Sequence, residues 1–379
     1  MDKEKFETFL DFGSSKIRIG AFDSEHPSNT FFNDELCVND FRVKKFTLSD
    51  SDIKINKLVK DLEKKTNTHL SKINLMLDTP DFEVINISSK RKFEGREISI
   101  KDIKYLLQEF NLLIKNHHPN LKIIHLIVTK IIIDTKEFNS FPENNINCDE
   151  LILEVMFICL SNLVIQEIIE KFKKKFISIN KIYCSSYLKS FNYKESFNGY
   201  DKKFFLDIGY EKSSLSVYDK NKLILIKFLS LGGNNITKDI SKILKISEKE
   251  SEDLKINFSK NISEKNISDN FLKKIIFARV DEIINLIFQN INLNDFNYKN
   301  GKSILIFTGE GSKILDKKSI YLSENFEYFN EISFIEESTY LICDSCRKFN
   351  TTNNPHEIDI IAKKQRKFGF FEKIFSLLK

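Results

Sequence analysis

No stretch of this 379-residue chain has the length and apolar character of a membrane span. Its most hydrophobic runs, 123–133 and 151–160, are interrupted by Lys130 and Glu154. The opening residues, MDKEKFE, carry no apolar leader, so a cytoplasmic chain is expected. Cysteine is sparse, at 37, 148, 159, 184, 343 and 346, and Cys343-x-x-Cys346 has no second pair. Zinc is therefore not expected; reduced, packed thiols are. A charge excess is missing from most of the chain. Residues 361–379 hold Lys363, Lys364, Arg366, Lys367, Lys373 and Lys379 against one acid, Glu372. Removing them from totals of 59 basic and 54 acidic side chains leaves the rest balanced, so the net +5 sits in the tail. A broad basic face for nucleic acid is disfavoured. No internal repeat of solenoid period is found.

What is present is material for more than one core: 41% of residues are hydrophobic and 35 are phenylalanine. At this length two or more domains are expected. The chain is organised around residues 203–237, KFFLDIGYEKSSLSVYDKNKLILIKFLSLGGNNIT. An apolar strand at 204–206 runs into Asp207, Ile208 and Gly209, a short turn reverses it, and a second strand follows at 214–218. A third β-rich run, 223–231, is broken by Gly232-Gly233 just before a helix. The same device opens the chain: ETFLDFGSSKIRIGAF, with Asp11, Gly13, Ser14, Ser15 and Lys16. Glycine at such a turn lets backbone N–H groups face an anion, and a strand-end carboxylate suits a hydrated Mg²⁺. Two copies half a chain apart suggest related domains facing each other across one nucleotide.

Between these hairpins, residues 52–70 have helical period and 73–77 read as a buried strand, with Asp78-Thr79-Pro80 marking a boundary. A block of its own follows: a strand at 82–88, a helix at 99–114, strands at 122–129 and 151–160, and a helix at 163–176. Residues 238–298 are helical in period, 303–308 form a strand, 339–349 a closing helix and 351–355 a polar linker. His117-His118 and His125 lack metal spacing and read as structural.

LDFGSSKIRIGAFD, FLDIGYEKSSLSVYDKNKLI, FLSLGGNNITKDISKIL, SEDLK (251–255), FARVDEI (277–283) and FTGEGSKI (307–314) stand in an order that resembles the actin/Hsp70-like ATPases, and within them the FtsA family of bacterial cell-division proteins. The resemblance implies an α/β, actin-like two-lobed fold with ribonuclease-H-like sheets and an inserted 1C subdomain. Its divisions would be 1A at 1–78, 1C at 79–178, a return through 1A at 179–200, 2A at 201–240, helical 2B at 241–300, the rest of 2A at 301–338, a closing helix at 339–350, a linker at 351–364 and a membrane-targeting helix at 365–379. It implies ATP and Mg²⁺ as cofactors. Asp11 and Asp207 would position the metal and its water. Gly13, Ser14, Ser15, Lys16, Gly209, Lys212 and Ser213 would line the phosphates. Gly232, Gly233, Glu252, Lys255, Gly309, Glu310 and Gly311 would line the nucleoside side. An ordinary i,i+3 ion pair accounts equally well for Glu252 and Lys255.

Three departures matter. FtsA proteins carry further glycines after Gly209, where this chain has Tyr210, Glu211 and Lys212, and Glu310 replaces a usual glycine. The return segment IYCSSYLKS offers no acid to orient an attacking water. Turnover is therefore expected to be slow or absent. From Phe368 onward, at 100° per residue, Phe368, Phe370, Phe371, Ile374, Phe375, Leu377 and Leu378 share half of a cylinder, as in an interfacial membrane helix. The resemblance implies a scaffold at the cytoplasmic face of the membrane at the division septum, self-associating into filaments and binding the FtsZ carboxy-terminal peptide and other divisome proteins. Arg279 falls where the family grips that peptide; a helix-surface ion pair is the alternative. A PilM-like pilus-assembly protein is the second reading, and a sugar kinase of the same fold finds no support in the residues.

Overall fold

The computed structural model describes residues 5–26, 28–36, 51–142, 144–259, 269–289, 291, 301–315, 326–352, 354 and 356–357. The expected tail helix, with Phe368, Phe371, Ile374, Phe375 and Leu378, lies outside the described residues, as does part of the helical segment expected at 238–298. Among the described residues no helix is long and apolar enough to cross a membrane.

The first sheet is built from β1 (Phe6–Phe12), β2 (Lys16–Asp23) and β3 (Thr30–Leu36), followed by α1 (Ser51–Thr66) and β4 (Lys72–Leu77). The chain then leaves it for β5 (Glu83–Ile98), α2 (Ile100–His117), β6 (Leu121–Ile133), β7 (Lys136–Phe138), β8 (Ile146–Ser161) and α3 (Asn162–Lys173). It returns through β9 (Ser178–Cys184) and α4 (Ser185–Tyr193). A second sheet follows from β10 (Lys202–Ile208), β11 (Ser213–Asp219) and β12 (Lys222–Leu229). After α5 (Gly233–Leu244), α6 (Glu248–Ser259) and α7 (Asp269–Phe288) come β13 (Ser303–Thr308), β14 (Glu331–Phe334) and α8 (Thr339–Thr351).

The strand orders β3-β2-β1-β4-β9 and β12-β11-β10-β13-β14 are one topology used twice. In each, the first three strands are antiparallel neighbours and the last two join in parallel. The central strand β10 is buried along its whole length, and its middle, Phe204-Phe205-Leu206, is apolar on both faces without alternation. Both sheets are α/β layers, and α4 lies between them, so one core takes in Leu188 of α4, Leu10 of β1, Phe205 of β10 and Ile306 of β13. α8 closes against the first sheet at Gly20, where a β-carbon would stand 2.7 Å from the Cβ of Cys343.

The inserted block is a separate antiparallel sheet, β5-β8-β6-β7, with its own core. α2 forms as its period requires, burying Ile103, Leu106, Leu107, Phe110 and Ile114, and the Ser99 N–H donates to the Asp102 carboxylate at its start. β5 runs ten residues beyond the expected end at 88. Its register slips between Lys92 and Arg96, where Glu94 and Gly95 adopt φ of 54° and 77°. Such a bulge breaks the period-two pattern, so the continuation is hidden in the sequence.

The expected linker is docked where it is described. Glu357 bridges Ile127 in antiparallel fashion, and the Val128 N–H donates to the His356 carbonyl at 2.7 Å. His125 explains the docking. Its Nε2 accepts the Cys184 N–H at 3.0 Å, so Nδ1 carries the proton and donates to Glu357 Oε1 at 2.7 Å. Burial, helped by Lys222 and Lys194, lowers the His356 pKa to about 4. The docked state therefore resists a proton that the released segment accepts near 6.5, and docking weakens as pH falls through that window. We expect the hydrogen-exchange protection of the Val128 amide, corrected for intrinsic rate, to fall between pH 7 and pH 4.5. In His356→Asn that dependence should flatten.

Candidate functional site

The two hairpins close by the same bond: Gly13 N–H to the Lys16 carbonyl at 3.1 Å, and Gly209 N–H to the Lys212 carbonyl at 2.8 Å. Asp11 and Asp207 end the two central strands and are buried. The hairpin turns meet, the Glu211 N–H donating to Ser14 Oγ at 3.3 Å. The topology thus brings Asp11, Asp207, Gly13, Ser14, Gly209 and Lys212 to one cleft between the lobes.

Each carboxylate there already has a cation of this chain. Arg18 stands directly across the hairpin from Asp11, and its Nη1 lies 2.9 Å from Asp11 Oδ2. Asp207 faces Ser214 instead, which brings no charge, and takes its cation from α4: Lys189 Nζ lies 3.0 Å from Asp207 Oδ2 and 3.2 Å from Glu337 Oε2. Lys212 turns away from the turn it closes, to Asp78 Oδ1 at 2.7 Å. The first turn of α4 completes the set. Ser185 donates to Asp11 Oδ1 at 2.8 Å, Ser186 to Asp207 Oδ2 at 3.3 Å, and Lys212 donates to Ser186 Oγ at 2.6 Å.

Burial raises the Asp11 pKa, with Arg18 pulling the other way. Burial acts upward on Asp78 too, yet the Lys212 and Lys189 ammoniums hold it below the usual carboxylate range. Burial raises Glu337, and Lys189 opposes it. Lys189 itself is pushed down by burial but held well above its ordinary value by Asp207, Glu337 and Asp78. Its charge is thus retained.

On the nucleoside side, Glu252 and Lys255 form a buried i,i+3 pair at 2.5 Å. Lys255 also donates to Thr237 Oγ1 at 2.8 Å and to the Gly233 carbonyl at 3.0 Å, and Thr237 bonds Glu252. Burial lowers the Lys255 pKa. The Tyr210 ring lies over this ammonium, 5.4 Å from centroid to Nζ, and its hydroxyl finds no hydrogen-bond partner among the described residues. Gly232 and Gly233 do make a close approach, but to the chain itself. The Gly233 and Asn234 N–H groups donate to the carbonyls of Gly209 and Tyr210 at 2.9 and 2.7 Å, and a β-carbon at Gly232 would stand 2.6 Å from the Gly209 carbonyl. Ser213 Oγ likewise turns to the Leu231 carbonyl. Gly309 and Gly311 pack on Ile208, and Glu310 reaches across the cleft toward Lys16 and Arg18, 3.9 Å from each. Lys16 is nearer to Asp34, at 3.0 Å.

Arg279 is engaged within the fold. Its Nε and Nη2 fork onto Asp239 at 2.6 and 2.9 Å, joining α7 to α5, and Nη1 bonds Glu282. Sequence reasoning missed Arg18, Asp78, Ser185, Ser186, Lys189, Thr237 and Glu337. Arg18 was within reach, as the cross-strand neighbour of Asp11; the partners from α4 and Glu337 leave no local signal.

The fit of Mg²⁺ is tested by the carboxylate oxygens. Three of the four on Asp11 and Asp207 hold hydrogen bonds, and the fourth, Asp207 Oδ1, points at Gly309, where a β-carbon would stand 2.5 Å away. Magnesium demands oxygens at about 2.0–2.1 Å in an octahedron. Three of the oxygens here are held by ammonium, guanidinium and hydroxyl groups and the fourth is packed against Gly309, so the residues do not fit the metal. Among the described residues no cluster of three or more His, Cys, Asp or Glu is placed to hold a metal ion.

The duplicated sheets and the facing hairpins define an actin-like ATPase fold, and solved structures share it. A PilM–PilN type IV pilus biogenesis complex superposes with a TM-score of 0.61 at 11% identity, covering 89% of each chain. MreB 5 of Spiroplasma citri bound to AMPPNP does so with a TM-score of 0.51 at 11% identity, over 92% of this chain and 97% of that one. Within this class the sequence is similar to FtsA. The family described as "Cell division protein FtsA" is matched over residues 204–294, from β10 to beyond α7. The cell division protein FtsA of Porphyromonas gingivalis (strain ATCC BAA-308 / W83) is 25% identical over 196 residues, 42% of this chain and only 40% of that relative's length.

Proposed function

We propose that this chain is an FtsA-like scaffold of cell division. It holds FtsZ polymers at the inner face of the cytoplasmic membrane at the septum, self-associates, and helps assemble the divisome. The observation that carries the reading is the FtsA match over 204–294, set on the actin-like fold of a chain with a basic, amphipathic carboxy-terminal segment. ATP turnover is no part of the reading, because Tyr210 and Glu211 occupy the phosphate turn and α4 offers Lys189 rather than an acid.

The test is binding of a labelled FtsZ carboxy-terminal peptide to the full chain, followed by anisotropy. Saturable binding is expected, and none at all would sink the reading. In this proposal Arg279 holds Asp239 with one edge, and the peptide's acid displaces Glu282 from the other. Arg279→Lys keeps the charge but loses the fork, and should weaken the peptide at least tenfold, about 1.4 kcal/mol. Equal affinities would leave Arg279 as a clamp between α5 and α7 only. The PilM-like reading is second, favoured by the superposition on the PilM–PilN complex. Binding of a PilN-type peptide in place of the FtsZ peptide would reverse the order.

A further inference from the structure

The strands that elsewhere would face a metal–nucleotide pair are here joined by the chain's own charges. Asp11 is met by Arg18 at 2.9 Å, Asp78 by Lys212 at 2.7 Å, Asp207 by Lys189 at 3.0 Å, and Glu337 by the same Lys189 at 3.2 Å. Two of these pairs cross between lobes. Lys189 belongs to α4, which follows the first sheet, and reaches Asp207 of β10. Lys212 leaves the second hairpin for Asp78, at the end of β4. Ser186, Ser14 with the Glu211 N–H, and Glu310 with Lys16 and Arg18 add further crossings. Lys189, Lys212, Asp11 and Asp207 are all at most 6% exposed, so these are interior contacts and not a solvated rim.

We propose that this internal ion network takes the place of a metal–nucleotide pair, so that the two lobes are held together with neither Mg²⁺ nor ATP. Burial makes the network binding. A buried carboxylate stripped of its cation is left uncompensated in a low-dielectric site. Opening the cleft, or admitting a hydrated divalent ion, separates Lys189 from two carboxylates at once. The α5 amino terminus offers an incoming phosphate little, since its Gly233 and Asn234 N–H groups are engaged by Gly209 and Tyr210. A scaffold built this way presents its partner surfaces constitutively, without a nucleotide cycle.

The experiment is thermal melting of the full chain, first dialysed exhaustively against EDTA. It is then measured in EDTA alone, in EDTA with ATP, and with Mg-ATP at millimolar concentration. The expected result is one Tm, within about 1 °C, in all three, because a ligand that does not bind the native state adds no stability. A rise above about 3 °C with Mg-ATP that EDTA abolishes overturns the proposal. A similar rise with ATP in EDTA also overturns it, since phosphates would then be held without metal. Lys189→Met is the second arm, melted in EDTA alone. A Tm indistinguishable from wild type would show that the network does not hold the lobes, and a clear fall is expected. If that variant fails to fold, the wild-type comparison still decides.

Discussion

A chain cut after residue 364 is expected to stay in solution when the full chain floats with anionic vesicles. At 100° per residue, a helix in the deleted segment would place Phe368, Phe370, Phe371, Ile374, Phe375, Leu377 and Leu378 on one half of its cylinder. Each such side chain contributes on the order of 1–2 kcal/mol on burial, before ordering costs. An isolated helix of roughly a dozen residues is marginal in water, so a lipid surface can both order it and bury it. Arg366, Lys367, Lys373 and Lys379, removed with it, add about 1 kcal/mol each near an anionic surface, an effect that salt screens. Together these terms exceed what ordering costs, and vesicle affinity should fall at least a hundredfold, about 2.7 kcal/mol. Phe371→Glu or Phe375→Glu should come close to the deletion, because each puts a charge at the centre of the apolar half. Lys373→Ala should weaken binding modestly, and mainly at low salt. A truncated chain that floats as well as the whole one would sink the membrane-anchor reading of this segment.

The duplicated fold was legible because its signals are local. β10 announces itself as an apolar run, Phe204 to Leu206, ending in Asp-x-Gly, β1 repeats that ending after Phe9-Leu10, and α2 shows five core positions at helical spacing. What those residues do was less legible, because function here rests on partners far apart in the chain. Asp207 reads as a metal ligand only while Lys189 is invisible, and Lys189 lies 148 residues from Glu337, which it also holds. Gly232-Gly233 announces a close approach without saying to what, and the answer is the neighbouring turn. Arg279 stands where the family motif puts it, but nothing in FARVDEI shows Asp239 forty residues earlier. β14 was missed for a different reason: four residues of half-buried edge strand carry too little pattern to read.

Removing the shared cation should be the most destabilising single change in the cleft. Lys189→Met leaves Asp207 and Glu337 buried without their ammonium, and breaking a buried pair in this way costs about 3–5 kcal/mol. For a domain larger than about 150 residues that corresponds to a fall in Tm of roughly 5–15 °C. Asp207→Asn alone should cost less, about 1–3 kcal/mol, because Lys189 keeps Glu337 and the amide still accepts from Ser186. The double variant Lys189→Met with Asp207→Asn should then be more stable than Lys189→Met by itself. That coupling, about 0.5–3 kcal/mol for residues in one network, is what a double-mutant cycle reads. The pH dependence has a definite sign. Burial already raises the Glu337 pKa against the pull of Lys189, and without that pull it rises further. A carboxyl whose folded pKa lies above its unfolded value near 4.5 binds more protons when folded, so stability increases as pH falls toward that value. Lys189→Met should therefore lose most at pH 8 and recover part of the loss at pH 5, while Asp207→Asn with Lys189 intact shows no such recovery. A Lys189→Met variant whose deficit is the same at both pH values would mean that Glu337 does not carry the uncompensated charge.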